Sequence, residues 1–308
     1  MNVNEWNLII VGAGPAGLTS ALYGARSGLR TLIIEEKTPG GYLSEIPLVE
    51  NYPGFSEGIS GMDLAAKMNE QTKKAGAEVH EIEVAESVQV SEQIFRLKTD
   101  RADYSCGALI FATGTHRRPL GVKGEDQLRG RGVSYCALCD GAFFKGKKVA
   151  VAGGGNSAAS SALYLSSIAD QVYLIHRRNE FRAEEAMIRP VKDSNVQFIM
   201  NTEILELKGD RKLSSILLRN KENNDTFELQ VDGLFVEVGE IPNNKLARDI
   251  GVKLDEEGYV LVDSRQRTNL KGVFAAGDIT SHSVKQISTA VGQGAMAATE
   301  AFYYLKRS

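Results

Sequence analysis

Short apolar runs that end in glycine-rich turns organise this chain. Leu8-Ile9-Ile10-Val11 contains no polar position, as expected of a parallel strand buried on both faces. It runs into Gly12-Ala13-Gly14-Pro15-Ala16-Gly17. Pro15 suits the first turn of a helix, where a missing N–H costs nothing. That helix is expected to run to about residue 27, with Gly28 able to stop it in the left-handed conformation. A second strand is expected at 31–34. The same order recurs 141 residues later: a strand at 148–152, Gly153-Gly154-Gly155-Asn156-Ser157-Ala158, a helix from about 156 to 167, and a strand at 172–176. Ser20-Ala21-Leu22-Tyr23 even finds its copy in Ser161-Ala162-Leu163-Tyr164. A strand at 109–114 closes the first unit and one at 234–239 closes the second. Two copies at this spacing predict paired domains rather than a solenoid, whose repeats run about 20–50 residues.

Pro119 and Pro242 follow the two closing strands beside polar residues, so 115–119 and 240–243 read as a pair of linkers. The predicted fold is α/β, with two Rossmann-like nucleotide-binding domains, the second inserted into the first. The outer domain is 1–115 with 243–308, and the inserted domain is 116–242.

The first turn has the spacing a dinucleotide needs. Gly12 permits the turn, Gly14 lets backbone approach a pyrophosphate, and Gly17 allows close helix–strand packing, with Pro15 and Ala16 between. The helix N-terminus adds N–H groups and a partial positive charge. Glu35, 23 residues after Gly12, ends the second strand, where a carboxylate can accept hydrogen bonds from both hydroxyls of an adenosine ribose. Ala112-Thr113-Gly114 after an apolar strand, and Ala275-Ala276-Gly277-Asp278 near the C-terminus, point to FAD. Asp278 suits ribityl hydroxyls, or alternatively caps the next helix. That helix, expected from about Gln286, would aim its positive end at the flavin.

In the second turn Gly153, Gly155 and Ala158 keep the spacing, with Asn156 and Ser157 opening the helix. The strand end differs. In place of an acid stand His176-Arg177-Arg178, with Arg182 close behind. Guanidinium groups suit a 2′-phosphate, so this site is expected to prefer NADPH over NADH.

Ahead of the second turn lie Cys136 and Cys139, followed directly by Asp140, which stands thirteen residues before Gly153. This spacing is short enough for a reducible disulfide. A zinc half-site needs two more ligands, and Cys106 and the four histidines show no matching spacing. Asp140 can act as proton donor to a departing thiolate. Cys106 is expected to be a packing residue before the strand at 109.

Composition narrows the class. The 308 residues are 43% hydrophobic and 24% charged, with net charge −3, as in a globular protein with no bias toward nucleic acid or an anionic membrane. The first residues show no basic segment and no long apolar run, so no signal peptide is expected. No apolar stretch is long enough to span a bilayer. Three cysteines are too few for a secreted disulfide scaffold, and a cytoplasmic setting is expected.

With these motifs in hand, together with Val49-Glu50-Asn51-Tyr52-Pro53-Gly54 and Phe274-Ala275-Ala276-Gly277-Asp278-Ile279, the chain resembles the low-molecular-weight thioredoxin reductases from about residue 5 to 305. The resemblance implies a homodimer of FAD- and NADPH-binding domains, with thioredoxin as partner. It implies that Cys139 faces the flavin, that Cys136 attacks the partner, and that Asp140 is the acid. It places Gly41, Asn51, Lys285, Gln286 and Ile287 near the flavin. It also implies that nicotinamide and dithiol use the flavin in turn, with the linkers permitting rotation. Tyr42, Lys285 and Glu240 depart from the family's usual Gln, Arg and His. Phe143 and Phe144 follow the dithiol, and Arg129 and Arg131 precede it. They are read either as a docking surface with arginines at its rim, or as core aromatics beside a solvated turn.

Overall fold

In a computed structural model, which describes residues 5–46, 48–91 and 94–307, the chain divides into two compact units. One is Met1–His116 with Ile241–Ser308, and the other is Arg117–Glu240. The first unit opens with β1 (Glu5–Val11), α1 (Pro15–Arg26) and β2 (Thr31–Ile34). After a 3-10 turn at Gly41–Glu45 come α2 (Gly61–Lys74) and β3 (Glu78–His80). Then follow β4 (Ala85–Ser91), β5 (Ile94–Thr99) and β6 (Asp103–Phe111). The chain leaves through β7 (Thr115–Arg117).

The second unit begins with α3 (Glu125–Leu128), β8 (Val133–Ser134) and α4 (Ala137–Asp140). It continues with β9 (Lys148–Gly153), α5 (Asn156–Ser166), β10 (Gln171–Ile175), α6 (Glu185–Lys192) and β11 (Gln197–Ile199). Three antiparallel strands, β12 (Thr202–Lys208), β13 (Ser215–Asn220) and β14 (Thr226–Gln230), precede β15 (Gly233–Glu237). The chain returns through β16 (Glu240–Pro242) to α7 (Lys245–Asp249), β17 (Val273–Ala275) and α8 (Ile287–Arg307).

Each unit is built on a parallel sheet, in the orders β3-β2-β1-β6-β17 and β11-β10-β9-β15-β8. The first four strands of the two orders agree position by position, so the duplication is structural, whereas the fifth comes from the end of the first unit (β17) and from the start of the second (β8). The fold is α/β, and the second unit is inserted in the first. In both sheets the order reverses beside the first strand, which opens the crevice where nucleotides bind in such folds.

The apolar runs follow from burial on both faces. Ile9 and Val11 point into one core with Leu109 and Phe111, while Leu8 and Ile10 point into the other with Ala108 and Ile110. Full burial of each leucine, isoleucine, valine or phenylalanine side chain among them contributes about 1.5–3 kcal/mol. Strand β6 is longer than expected and includes Cys106. Its first half pairs antiparallel with β5, and its second half pairs parallel with β17. Helix α8 lies so close on α1 that a Cβ at Gly294 would fall 2.3 Å from the Ala16 carbonyl oxygen, and Ser20 Oγ donates to the Gly294 carbonyl at 3.1 Å. Among the described residues no helix is long and apolar enough to cross a membrane.

Candidate functional site

At the first turn, Gly12 has φ +100°, and a Cβ there would lie 2.4 Å from the Ala112 carbonyl oxygen. At Gly17 a Cβ would lie 1.8 Å from the Gly12 carbonyl oxygen. These glycines are therefore required by contact. Gly14 is different: a Cβ would meet nothing within 4 Å. It is the N-cap of α1 and makes no side-chain capping bond, so the first N–H groups of the helix, after Pro15, open on free space. The Glu35 carboxylate is buried and already tied to this turn. It accepts from Ala13 N–H at 2.6 Å and from Lys37 N–H at 2.9 Å, and each oxygen keeps lone pairs for a further donor.

Around this turn the fold gathers the other expected flavin residues of the first unit. Gly41 lies against Gly14, and the neighbouring Gly40 N–H donates to the Ala13 carbonyl at 2.8 Å. Thr113 and Gly114 follow β6. Thr113 is braced by Asn243, whose Nδ2 donates to the Thr113 carbonyl at 2.8 Å while Thr113 Oγ1 donates back to the Asn243 carbonyl at 2.7 Å. Gly277 and the half-buried Asp278 follow β17, where a Cβ on Gly277 would approach Ala16 Cβ to 2.8 Å. Asn51 Nδ2 donates to Gln286 Oε1 at 3.1 Å, which joins residues 235 apart in sequence. Ile287 begins α8 and packs on the small Leu43–Val49–Leu64 cluster. Lys285 turns inward: its ammonium donates to the carbonyls of Asp278 and Thr280 and sits 4.3 Å from the Tyr259 ring centroid. An open helix N-terminus, a preset carboxylate and an aspartate-bearing turn together fit an adenine dinucleotide whose other half extends toward Asp278.

The second turn is built alike. Gly155 is the N-cap of α5, without a side-chain capping bond and with nothing within 4 Å of a Cβ. A Cβ on Gly153 would lie 2.3 Å from the Glu237 carbonyl oxygen and 2.7 Å from the methyl of the buried Ala158. Asn156 reaches forward: its Oδ1 accepts from Glu184 N–H at 2.8 Å and its Nδ2 donates to Glu184 Oε1 at 3.1 Å. Ser157 is exposed beside it. Strand β10 ends one residue before the expected end, so His176 opens the following loop, although its N–H still bonds the Ile199 carbonyl at 2.9 Å. Arg177, Arg178 and Arg182 are all exposed, and among the described residues none has a carboxylate within ion-pair distance. The His176 ring is buried, and that burial holds its pKa below the usual value.

Cys136 lies just after β8 and is disulfide-bonded, whereas Cys106 is a free thiol whose burial pushes its pKa to about 12. Cys106 therefore stays protonated and inert at neutral pH. The side chain of Cys139 lies outside the described residues. Asp140 Oδ2 accepts from Ser134 Oγ at 2.6 Å, and Ser134 Oγ in turn accepts from Cys136 N–H at 3.0 Å. Ser134 thus joins the acid to the cystine, a link that no motif in the sequence marks. Phe144 points inward, edge-on to Phe235 at 5.3 Å, while Phe143 is 74% exposed. Arg129 stacks 4.7 Å over Tyr135, and Arg131 is exposed. The two phenylalanines therefore have opposite surroundings.

Two nucleotide-shaped turns, one of them in the same unit as a disulfide-bonded cysteine, define an oxidoreductase that works between nucleotides and a disulfide. The chain belongs to the pyridine nucleotide-disulphide oxidoreductase family, whose model matches residues 6–294. It is 44% identical to a thioredoxin reductase from Listeria innocua over 98% of this chain and 94% of that protein. It is 40% identical to one from Bacillus subtilis over 98% and 95%. Among solved structures, the thioredoxin reductase of Lactococcus lactis superposes with a TM-score of 0.91 at 37% identity, covering 98% of this chain and 100% of that one. That of T. acidophilum gives 0.88 at 39% identity, covering 97% and 98%.

Proposed function

We propose that this protein is an NADPH-dependent thioredoxin-disulfide reductase with FAD as its resident cofactor. One observation carries the reading: Cys136 is disulfide-bonded in the same unit as a nucleotide turn followed by three exposed arginines that, among the described residues, have no carboxylate within ion-pair distance. FAD would be held by Gly12, Gly14, Pro15, Ala16, Gly17 and Glu35 at the adenosine and pyrophosphate end. Gly41, Asn51, Thr113, Gly114, Gly277, Asp278, Lys285, Gln286 and Ile287 would surround its other half. NADPH would be held by Gly153, Gly155, Asn156, Ser157 and Ala158, with Arg177, Arg178 and Arg182 on its 2′-phosphate and His176 behind them.

Bound FAD supplies a two-electron relay between NADPH and the Cys136–Cys139 pair. The chain's own sulfur chemistry then follows. Cys136 thiolate attacks one sulfur of the partner's disulfide, forming a mixed disulfide and expelling the partner's other sulfur as a thiolate. Cys139 thiolate attacks Cys136 Sγ and expels the second partner sulfur. The partner leaves with two more electrons, and the Cys136–Cys139 bond is restored. Asp140, held by Ser134, supplies or takes the proton at the departing sulfur. Phe143 serves as the partner's apolar anchor, because Phe144 is committed to the core. The working form is a homodimer in the cytoplasm, where NADPH and thioredoxin are available.

The test is anaerobic NADPH reduction of the FAD-loaded protein, followed by addition of oxidised thioredoxin while flavin absorbance is read. Reoxidation with release of thioredoxin dithiol is expected, and its absence overturns the reading. Cys139→Ser should trap thioredoxin on Cys136 as a stable mixed disulfide. Trapping by Cys136→Ser instead would reverse the two roles.

A further inference from the structure

His176 is the counterpart of Glu35, since the two lie 141 residues apart at the same place in their units. Glu35 grips Ala13, the second residue of its turn, through the backbone N–H. The equivalent of Ala13 is Gly154, and there the imidazole occupies the space of the missing methyl. A Cβ on Gly154 would lie 2.1 Å from His176 Cε1, and the three atoms nearest to it all belong to this ring. On its other side the ring stacks on Phe181, with centroids 5.4 Å apart and planes 19° apart. Its Nε2 lies 3.0 Å from the Glu180 carbonyl oxygen, to which it donates. The loop that carries the arginines is thus pinned from within. Its far end is pinned to the same turn: Arg182 N–H and Ala183 N–H both donate to the Gly154 carbonyl, at 2.7 and 3.1 Å.

Beyond Phe181 the surface is hollowed. A cavity of about 450 Å³, lined by Phe181, Ile188, Phe198 and Met200 among others, lies there. Phe198 meets Phe181 only edge-on, at 5.5 Å. Without the histidine ring the stack on Phe181 and the hydrogen bond to the Glu180 carbonyl are both lost, so the near end of the loop loses its hold on the turn.

We propose that His176 is a positioning residue for 2′-phosphate recognition: wedged between Gly154 and Phe181, it fixes the 177–183 loop so that three exposed arginines converge on one phosphate. This rests on reading that loop as the 2′-phosphate site. His176 acts through the loop and does not touch the phosphate, since the residue is only 6% exposed and its Nε2 is already engaged. The Gly154–His176 contact also makes a specific demand on sequence. Gly154 does not have a positive φ, so an alanine there is excluded by the ring and not by the backbone.

The test uses the FAD-loaded protein and calorimetric binding of adenosine 2′,5′-bisphosphate and of 5′-AMP, which lacks the 2′-phosphate. Their affinity ratio reports the arginine loop and does not respond to a general loss of stability. Wild type should favour the bisphosphate strongly. His176→Ala and Gly154→Ala should each lower the ratio at least tenfold. His176→Phe, which keeps the ring but lacks the donor, should lie between and stay folded. In the double variant, Gly154→Ala should cost nothing further, because the ring it collides with is gone. If wild type shows no preference, the 2′-phosphate reading fails and takes the latch with it. If wild type and an Arg177→Ala/Arg178→Ala variant behave as that reading requires, but the His176 and Gly154 variants keep the full ratio or combine additively, the latch alone is overturned.

Discussion

The two glycine-rich turns sit at equivalent places in their sheets, yet each is closed by a different device. In the first, the strand-end residue is a buried carboxylate, and two backbone N–H groups hold its charge in place. In the second, the strand-end residue is a buried ring with its pKa held low, and the charges sit on three exposed arginines further along. The difference divides the labour. A ribose with free hydroxyls needs an acceptor fixed at one point, and Glu35 is that point. A phosphate needs several converging donors, so the strand end supplies a brace and leaves recognition to the loop. The third position of each turn also differs. Gly17 has the Gly12 carbonyl oxygen against it and no room for a side chain, while in the second turn the Ala158 methyl is present and packs against Gly153, where a Cβ would come within 2.7 Å of it.

The largest expected effect exploits that last contrast. Gly17→Ala places a carbon 1.8 Å from the Gly12 carbonyl oxygen, so the first turn must distort. The purified protein should lose its flavin and melt at a lower temperature. Ala158→Gly, the mirror change, only removes a methyl inside a helix and should cost about 1 kcal/mol. Flavin absorbance per protein and thermal melts would read both. Equal damage from the two substitutions would contradict the contact argument.

Next in size is loss of donor preference. Charge-assisted hydrogen bonds contribute roughly 1.5–3 kcal/mol each, so Arg177→Ala/Arg178→Ala should lower the NADPH-to-NADH ratio of kcat/KM by about two orders of magnitude. FAD content should not change, because the Arg loop and the first turn belong to different units. Glu35→Gln tests the opposite side. It should weaken FAD binding by about tenfold and leave the affinity for adenosine 2′,5′-bisphosphate unaltered. Cross-effects between the units would show that the two turns are not independent.

Much of this architecture was legible because it is local. The run Leu8-Ile9-Ile10-Val11 and the glycine spacings need only strand and turn sterics, and the structure places β1 and α1 where the pattern predicts. Helix α1 ends at Arg26 with Gly28 at φ +81°, as its glycine signals. What the pattern hides is contact across sequence. Nothing near Thr113 announces Asn243, and nothing near Asp140 announces that Ser134 is its partner. The sequence pattern leaves Cys106 outside its strand, because the polar residues Asp103, Tyr104 and Ser105 mask the antiparallel half of β6. Phe143 and Phe144 are indistinguishable by type. Only the space above Gly233 decides that Phe144 goes inward. The wedge of His176 against Gly154 was equally hidden, since the second glycine looks redundant in a glycine-rich turn.

The smallest expected effect is on pH-dependent stability, and it separates the two braces. An unfolded histidine titrates near 6.5. In the fold His176 is held lower, first by burial. The nearby charges of Arg178, Arg182 and Arg177 add to this, and the hydrogen bond to the Glu180 carbonyl opposes it. Below about pH 6.5 the unfolded chain therefore takes up a proton that the folded chain resists. The stability contributed by the neutral ring is complete above that pH and is lost as pH falls through the folded pKa. His176→Phe has no proton to gain. Its melting temperature should lie below that of wild type at pH 8, where the Glu180 hydrogen bond counts, and the gap should narrow as pH falls toward 5. Other titrating groups are common to both proteins and cancel in the difference. Parallel melting curves across that range would mean that the ring is not held neutral by its wedge, and that the second turn is braced by something other than His176.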